Sequence, residues 1–415
     1  MSTVTVIRPL APSEEIFASS QVLVGYSTRV VGRLDLYALT RAFNALIRAH
    51  PLLSARLMED DSGHHVLTQS CGAPPVIAVF EGDPDQLLVG ARLDQRTALS
   101  ALCVVHDDDN ASVTLVTHHG IADAGHSLAV VAELWSCYTD LTEGLPGELA
   151  PQPYPRTVED LLAARGIEKV HPPAAHLRRS ESLMAAKVSD DADYVLPHTA
   201  RCRLTKAQTA VLVELGHRER TTINGLASAA ILLTEAELRG LALSELSYTY
   251  SVDLRTRVTP TIGTTEGTNI LGFADFIPTA HTGSTLISLA RSVSDALLTE
   301  LATGLVQQTP LHIPDITAGP PPSAPGIVLS TNWGRIPTPR VPDTLRVTDF
   351  RSIMIGKPDK TGHRLQQPSG TIIISTFDDR LSIEIHHAAE TSAEQRLRVR
   401  VLSAHLRAAR DMGSG

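Results

Sequence analysis

The chain has 415 residues, 43% hydrophobic and 20% charged, with aromatics at only 4% and a formal net charge of −9. That is enough length for two ordinary domains with aliphatic cores, and it excludes a disordered chain. The acidic balance argues against a general nucleic-acid binder, which shows a basic face. No stretch approaches the ~20 apolar residues of a membrane span. The first residues lack the basic start and apolar run of a signal peptide. Cys71, Cys103, Cys137 and Cys202 lie far apart with no Cys-x-x-Cys pair. Reduced thiols and a cytoplasmic location are therefore expected.

Apolar spacing predicts an amphipathic helix over 35–49, through Leu36, Leu39, Phe43, Leu46 and Ile47, stopped at His50-Pro51. Strands are expected over 52–57 and 65–69. A hairpin over 102–106 and 112–117 turns at Asp107-Asp108-Asp109-Asn110. A helix through Leu128, Val131, Leu134, Trp135 and Tyr138 follows, ended by Gly144-Leu145-Pro146-Gly147. The proline-rich stretch 151–155 reads as a stiff connector before a short helix over 158–165. The crossover falls between 150 and 195, so the lobes are expected at 1–175 and 176–415.

The second half opens with a strand over 201–204 and a helix whose Thr205 and Gln208 have capping-box spacing. Helices over 225–238 and 284–301, strands over 247–254 and 327–331, and a hairpin over 371–377 and 381–387 follow. A loop at 319–322 and a closing helix from 392 complete the list. Both halves mix strands and helices without a βαβ rhythm. This favours an α+β fold over a doubly wound sheet. Neither a Gly-x-Gly-x-x-Gly turn nor a P-loop is present.

The most informative stretch is His118-His119-Gly120-Ile121-Ala122-Asp123-Ala124. It sets two histidines at a strand end and an aspartate four residues beyond the second, where a helix begins. Imidazole is the side chain best suited to take a proton from a hydroxyl near neutral pH. In one reading His119 is a general base, while Asp123 caps the helix and pairs with a distant cation. In a second, His118, His119, Asp123 and His126 hold a metal. Adjacent strand residues point to opposite faces, and the His-Glu-x-x-His spacing is missing, so no metal is assigned. In a third, the histidines are inert strand-end residues. His386-His387 and His64-His65 read as structural, and Asp107 to Asp109 as a solvated turn without the calcium-loop pattern.

The order His-His-x-x-x-Asp resembles the signature of the superfamily of chloramphenicol acetyltransferase and peptide-synthetase condensation domains. Its usual following glycine is Ala124 here. Residues 39–53, Ser13 to Ala18, Ala230 to Glu235, Ser251-Val252-Asp253-Leu254-Arg255 and Asn269-Ile270-Leu271-Gly272 narrow the likeness. The chain resembles the polyketide-associated acyltransferases typified by phthiocerol/phthiodiolone dimycocerosyl transferase. That resemblance implies two chloramphenicol-acetyltransferase-like lobes with an active-site tunnel between them. It implies an O-acyltransferase in secondary-metabolite or lipid biosynthesis that moves an acyl group to a hydroxyl of a polyketide-type acceptor. The donor is acyl-CoA or a phosphopantetheine-linked acyl carrier protein, a co-substrate and not a resident cofactor.

His119 matches the family's base, and Asp123 its structural aspartate, with Arg255 as partner. Asn332 and His118 are weaker candidates for substrate or oxyanion contact. A monomer is expected, since one chain supplies both sides of its site. A non-catalytic carrier-docking protein and an amide-forming condensation enzyme are the alternatives.

Overall fold

The structure, a computed structural model, describes residues 5–69, 77–88, 93–170, 198–279, 282–317, 326–357, 370–387 and 390–413, with single positions 75, 194 and 196. Cys71, the Pro172-Pro173 stretch and the 319–322 loop lie outside the described residues. In chain order the first half forms β1 (Val6–Pro9), α1 (Pro12–Ser19), β2 (Leu23–Gly32), α2 (Leu36–Ala49), β3 (Arg56–Glu59) and β4 (His65–Thr68). It continues through β5 (Ile77–Glu81), β6 (Ser100–Asp107), β7 (Asn110–His118), α3 (Ala124–Thr142) and α4 (Val158–Ala163). The second half forms β8 (His198–Arg203), α5 (Lys206–Arg218), α6 (Ile223–Arg239), β9 (Ser247–Asp253), β10 (Leu271–Phe276) and α7 (Leu286–Ala302). Short α8 (Leu305–Gln308) and α9 (Ile313–Thr317) precede β11 (Ile327–Ile336), β12 (Leu345–Ile355), β13 (Thr371–Phe377), β14 (Arg380–His387) and α10 (Ser392–Gly413).

Several helices start where a side chain satisfies free N–H groups. Asp35 accepts from Tyr37 and Ala38 at the head of α2. Thr205 and Gln208 form the expected capping box on α5, and Thr222 caps α6. Such caps replace water on donors that have no partner inside the helix. Two sheets organise the halves, with strand orders β12-β2-β7-β6-β5 and β10-β9-β11-β13-β14-β8, beside a small sheet β1-β4-β3. Each large sheet shares a hydrophobic core with its own helices. Phe43, Leu46, Leu134 and Trp135 fill one, and Leu226, Ile231, Leu289 and Leu402 the other. This is the expected two-lobed α+β architecture.

The lobes are not cut cleanly along the chain. Strand β12 comes from the second half yet pairs antiparallel with β2, from Leu345 opposite Gly32 to Ile355 opposite Leu23. Its charged residues are matched across the seam: Arg201 of β8 holds Asp349 at 2.5 Å, and Arg203 reaches the same carboxylate at 3.1 Å. Buried Ser352 bonds Glu384 and also His386, whose other ring nitrogen meets Thr199. His386 is thus a fully bonded seam residue, as the sequence reading held.

Some local expectations shift. Residues Pro51–Ser54 form a 3-10 turn, with proline at its first position, so the strand begins only at Arg56. Strand β11 runs on to Ile336 through a bulge between Asn332 and Gly334. Elements β1, α1, β2, β5, β10, α8, α9 and β12 are additions to what the sequence predicts. No helix among the described residues is long and apolar enough to cross a membrane.

Candidate active site

The last residue of β7, His118, pairs with Leu23 of β2, and the chain then turns sharply, with Ile121 N–H donating to the His118 carbonyl at 3.1 Å. The pleat sends the two imidazoles apart. His118 turns inward and is completely buried. Its Nδ1 accepts from Gly120 N–H at 3.0 Å and its Nε2 lies 2.9 Å from Gln95 Oε1. The acceptor role of Nδ1 places the proton on Nε2, which donates to Gln95. Burial, followed by the neighbouring His119 and His65, pushes its pKa down to about 3, so it stays neutral. Both nitrogens are occupied in shaping the loop. A Cβ on Gly120 would sit 3.0 Å from His118 Nδ1 and 3.3 Å from the Glu14 carbonyl, so this turn closes around the absence of a side chain.

His119 faces the other way and keeps partial exposure. Phe17 of α1 lies flat against its ring, with centroids 4.0 Å apart and planes 8° from parallel. Its Nδ1 is 3.0 Å from Asn269 Oδ1, and Asn269 Nδ2 donates to the His119 carbonyl at 2.7 Å. Nε2 has no hydrogen-bond partner among the described residues. Burial lowers the pKa of His119 below its ordinary value, so the neutral imidazole prevails at pH 7.

Asp123 caps α3 from an extended backbone conformation, accepting from His126 N–H at 2.9 Å. The carboxylate is fully buried and binds Arg255 through two bonds of 2.9 Å, with Ile270 N–H at 2.8 Å as a further donor. Burial alone would raise the Asp123 pKa. Arg255 and the two backbone donors outweigh it and hold the group below its usual range. The pairing that the resemblance implies is present, and it joins the N-terminal loop to the other lobe. Arg255 also meets Asp253 at 3.1 Å and the Thr264 carbonyl at 3.1 Å.

Ala124 opens the helix with no positive φ, so the alanine in place of the motif glycine sits in ordinary backbone. The close approach falls one residue later. A Cβ on Gly125 would lie 2.8 Å from Arg255 Nη1.

Residues 267–270 form the opposite wall. Gly267 O receives His126 Nδ1–H at 2.9 Å, and Thr268 O receives Asp123 N–H at 2.9 Å. Thr268 Oγ1 donates to Glu14 at 2.6 Å, and Glu14 is itself buried and held by two bonds from Arg8. Helix α1 is thereby locked over the site, which is what sets Phe17 on the imidazole. Asn332 lies elsewhere in the bonding pattern. It is exposed on the β11 bulge, donating to Asn224 Oδ1 and accepting from Gly334 N–H, both at 2.8 Å.

His119, Asp123 and Arg255 are therefore brought together, while the groups of His118 and Asn332 are engaged apart from them. Asn269, Phe17 and Thr268 are the site residues that the sequence reading did not single out. Asn269 lies within one of the stretches that carry the resemblance, but nothing local marks an asparagine as facing a histidine 150 positions away. Among the described residues no cluster of three or more metal-ligating side chains occurs.

A family profile described as phthiocerol/phthiodiolone dimycocerosyl transferase C-terminus matches residues 193–386. The phthiocerol/phthiodiolone dimycocerosyl transferase of Mycobacterium ulcerans (strain Agy99) is 33% identical over 399 residues, covering 92% of each chain. This chain belongs to that transferase family. The solved structure of polyketide synthase associated protein 5 from Mycobacterium tuberculosis superposes with a TM-score of 0.80 at 30% identity, over 96% of this chain and 98% of that one. The first condensation domain of the calcium-dependent antibiotic synthetase shares the fold at 14% identity, with a TM-score of 0.68 over 99% and 97% of the two chains. The protein is accordingly an enzyme, an acyltransferase with a condensation-domain-like fold.

Proposed function

We propose that the enzyme transfers an acyl group from a thioester to a hydroxyl of a polyketide-type acceptor, with His119 as general base. The observation that carries this is the state of one ring: Nδ1 is engaged, Nε2 has no hydrogen-bond partner among the described residues, and the residue keeps partial exposure at the seam of the lobes. Nε2 takes the hydroxyl proton as the alcohol oxygen attacks the thioester carbonyl. The C–O bond forms, the C–S bond breaks, and the same nitrogen returns the proton to the departing thiolate. Base assistance of this kind contributes ~10²–10⁴ in rate. Alignment of the two substrates supplies much of the rest. Asp123 and Arg255 hold the loop and take no part in proton transfer.

The donor is acyl-CoA or an acyl carrier protein, and the enzyme works as a cytoplasmic monomer without a resident cofactor. The division into lobes near residue 175, with β12 returned to the first, belongs to the same reading. The cleft that Ile121 and Ala122 share with His50, His126, Gln152 and Thr265 is read as one mouth of a tunnel between them.

Acetyl-CoA and a long-chain acyl-CoA are offered with a panel of primary and secondary alcohols, following thiol release and ester mass. The His119→Ala variant is expected to lose turnover while keeping its fold. Turnover near the wild-type rate in that variant would remove His119 from the mechanism.

A further inference from the structure

We infer that Asn269 is a positioning residue that selects the tautomer of His119, placing the proton on Nδ1 and leaving Nε2 as the basic nitrogen. The inference rests on the proposed role of His119 as base.

The two ends of the Asn269 amide face different atoms of His119. The His119 carbonyl only accepts, so the amide end 2.7 Å from it is the NH₂ group. That fixes the other end, the oxygen, against Nδ1 at 3.0 Å. An amide oxygen only accepts, so Nδ1 carries the hydrogen and Nε2 holds the lone pair. Two bonds to one residue leave the amide no alternative flip.

Asn269 is itself 3% exposed, so water does not compete for either end. Its backbone is fixed on both sides, by Thr268 O to Asp123 N–H and by Ile270 N–H to Asp123 Oδ2. Phe17 sets the plane of the imidazole, and Asn269 sets its proton. The base and its selector come from different lobes, so the reactive tautomer depends on residues 267–270 lying against the loop. The rival acceptor for the Nδ1 proton is His119's own carbonyl, which also faces the ring. The charged group that acts on the ring is Asp123, itself paired with Arg255.

The test compares Asn269→Ala and Asn269→Asp in the full chain, using acetyl-CoA with octanol as the turnover probe. Imidazole ¹⁵N shifts are recorded in parallel, the His119 signal being assigned by its loss in His119→Ala. In the wild-type protein Nδ1 is expected to show the protonated shift and Nε2 the bare one. In Asn269→Ala the two shifts move toward each other, and kcat falls by roughly 10² with little change in KM. A serine-protease triad locked in the wrong tautomer loses about 10⁴, which bounds the effect.

Asn269→Asp keeps an acceptor on Nδ1 and restores the tautomer. Its added negative charge raises the His119 pKa and moves the acid limb of the rate profile to higher pH, while the Nδ1–H shift is the readout that a merely structural role would not move. If Asn269→Ala retains the Nδ1–H shift, the backbone carbonyl does the selecting and the inference fails. If Asn269→Ala does not fold, Asn269→Asp decides alone: an unmoved acid limb or a lost Nδ1–H shift overturns the proposal. The shifts are read without turnover, so an active His119→Ala would sink the base assignment while leaving the tautomer measurement standing.

Discussion

Replacing Arg255 with Met removes the cation from a carboxylate that has no solvent. Asp123 is fully buried and Arg255 is 6% exposed, with two 2.9 Å bonds between them. Without the guanidinium, Asp123 keeps only the N–H groups of His126 and Ile270. Removing one partner of a buried pair costs about 3–5 kcal/mol, because the other charge stays behind uncompensated. The reverse change, Asp123→Asn, leaves Arg255 beside Asp253 and the Thr264 carbonyl, and is expected to cost less.

The pH dependence supplies the sign. In the wild-type protein the Asp123 pKa is held below its unfolded value, so its contribution is present above about pH 3.9 and is lost as pH falls through the folded value. In Arg255→Met only the two backbone N–H groups oppose the effect of burial, and the folded pKa is expected to rise above the unfolded one. The variant's deficit is then largest at pH 7 and shrinks as acid neutralises the carboxyl. Urea unfolding followed by the fluorescence of Trp135 and Trp333, at pH 7 and at steps down to pH 4.5, measures both. A variant within about 0.5 kcal/mol of wild type at every pH would refute the buried-pair argument. If such a variant were also inactive, Arg255 would move into the catalytic set.

The rate profile follows from the depressed pKa of His119: turnover is expected to be flat from pH 7 to 8 and to fall only below the ordinary histidine value of about 6.5. A limb centred above 7 in initial-rate measurements would contradict the burial argument. At the helix start, Ala124→Gly is expected to cost no more than about 1 kcal/mol. Gly125→Ala is expected to cost more and to reduce activity, since its methyl displaces Arg255 Nη1. Equal melting temperatures for these two variants would show that the guanidinium has room to move. Loss of turnover in His119→Ala, and the paired nitrogen shifts of the Asn269 variants, complete the set.

Residue order alone was enough for the parts of the protein that are local. The helix expected over 35–49 announces itself by its apolar stripe and the His50-Pro51 stop, α5 by Thr205 and Gln208, and the β6–β7 hairpin by its run of aspartates. His119 and Asp123 are legible because the strand end, the turn and the helix cap lie within six positions, and Arg255 entered through the resemblance. Strand β2 escaped because it runs through the middle of its sheet with both faces covered, so it lacks an alternating pattern. Strand β12 escaped because Asp349 and Arg351 read as solvent-facing until Arg201, Arg203 and Glu384 arrive from other strands.

Tertiary structure also decided the fine chemistry of the site. Phe17 and Asn269 meet His119 only after α1 is pinned through Glu14 and Thr268, and after residues 267–270 run along the loop. Which face of an imidazole is covered, and which nitrogen keeps its proton, depend on atoms a few ångströms away that are contributed 100 to 150 positions distant. Periodicity and capping report only on neighbours along the chain, so order in sequence can name the base while packing alone sets its working form.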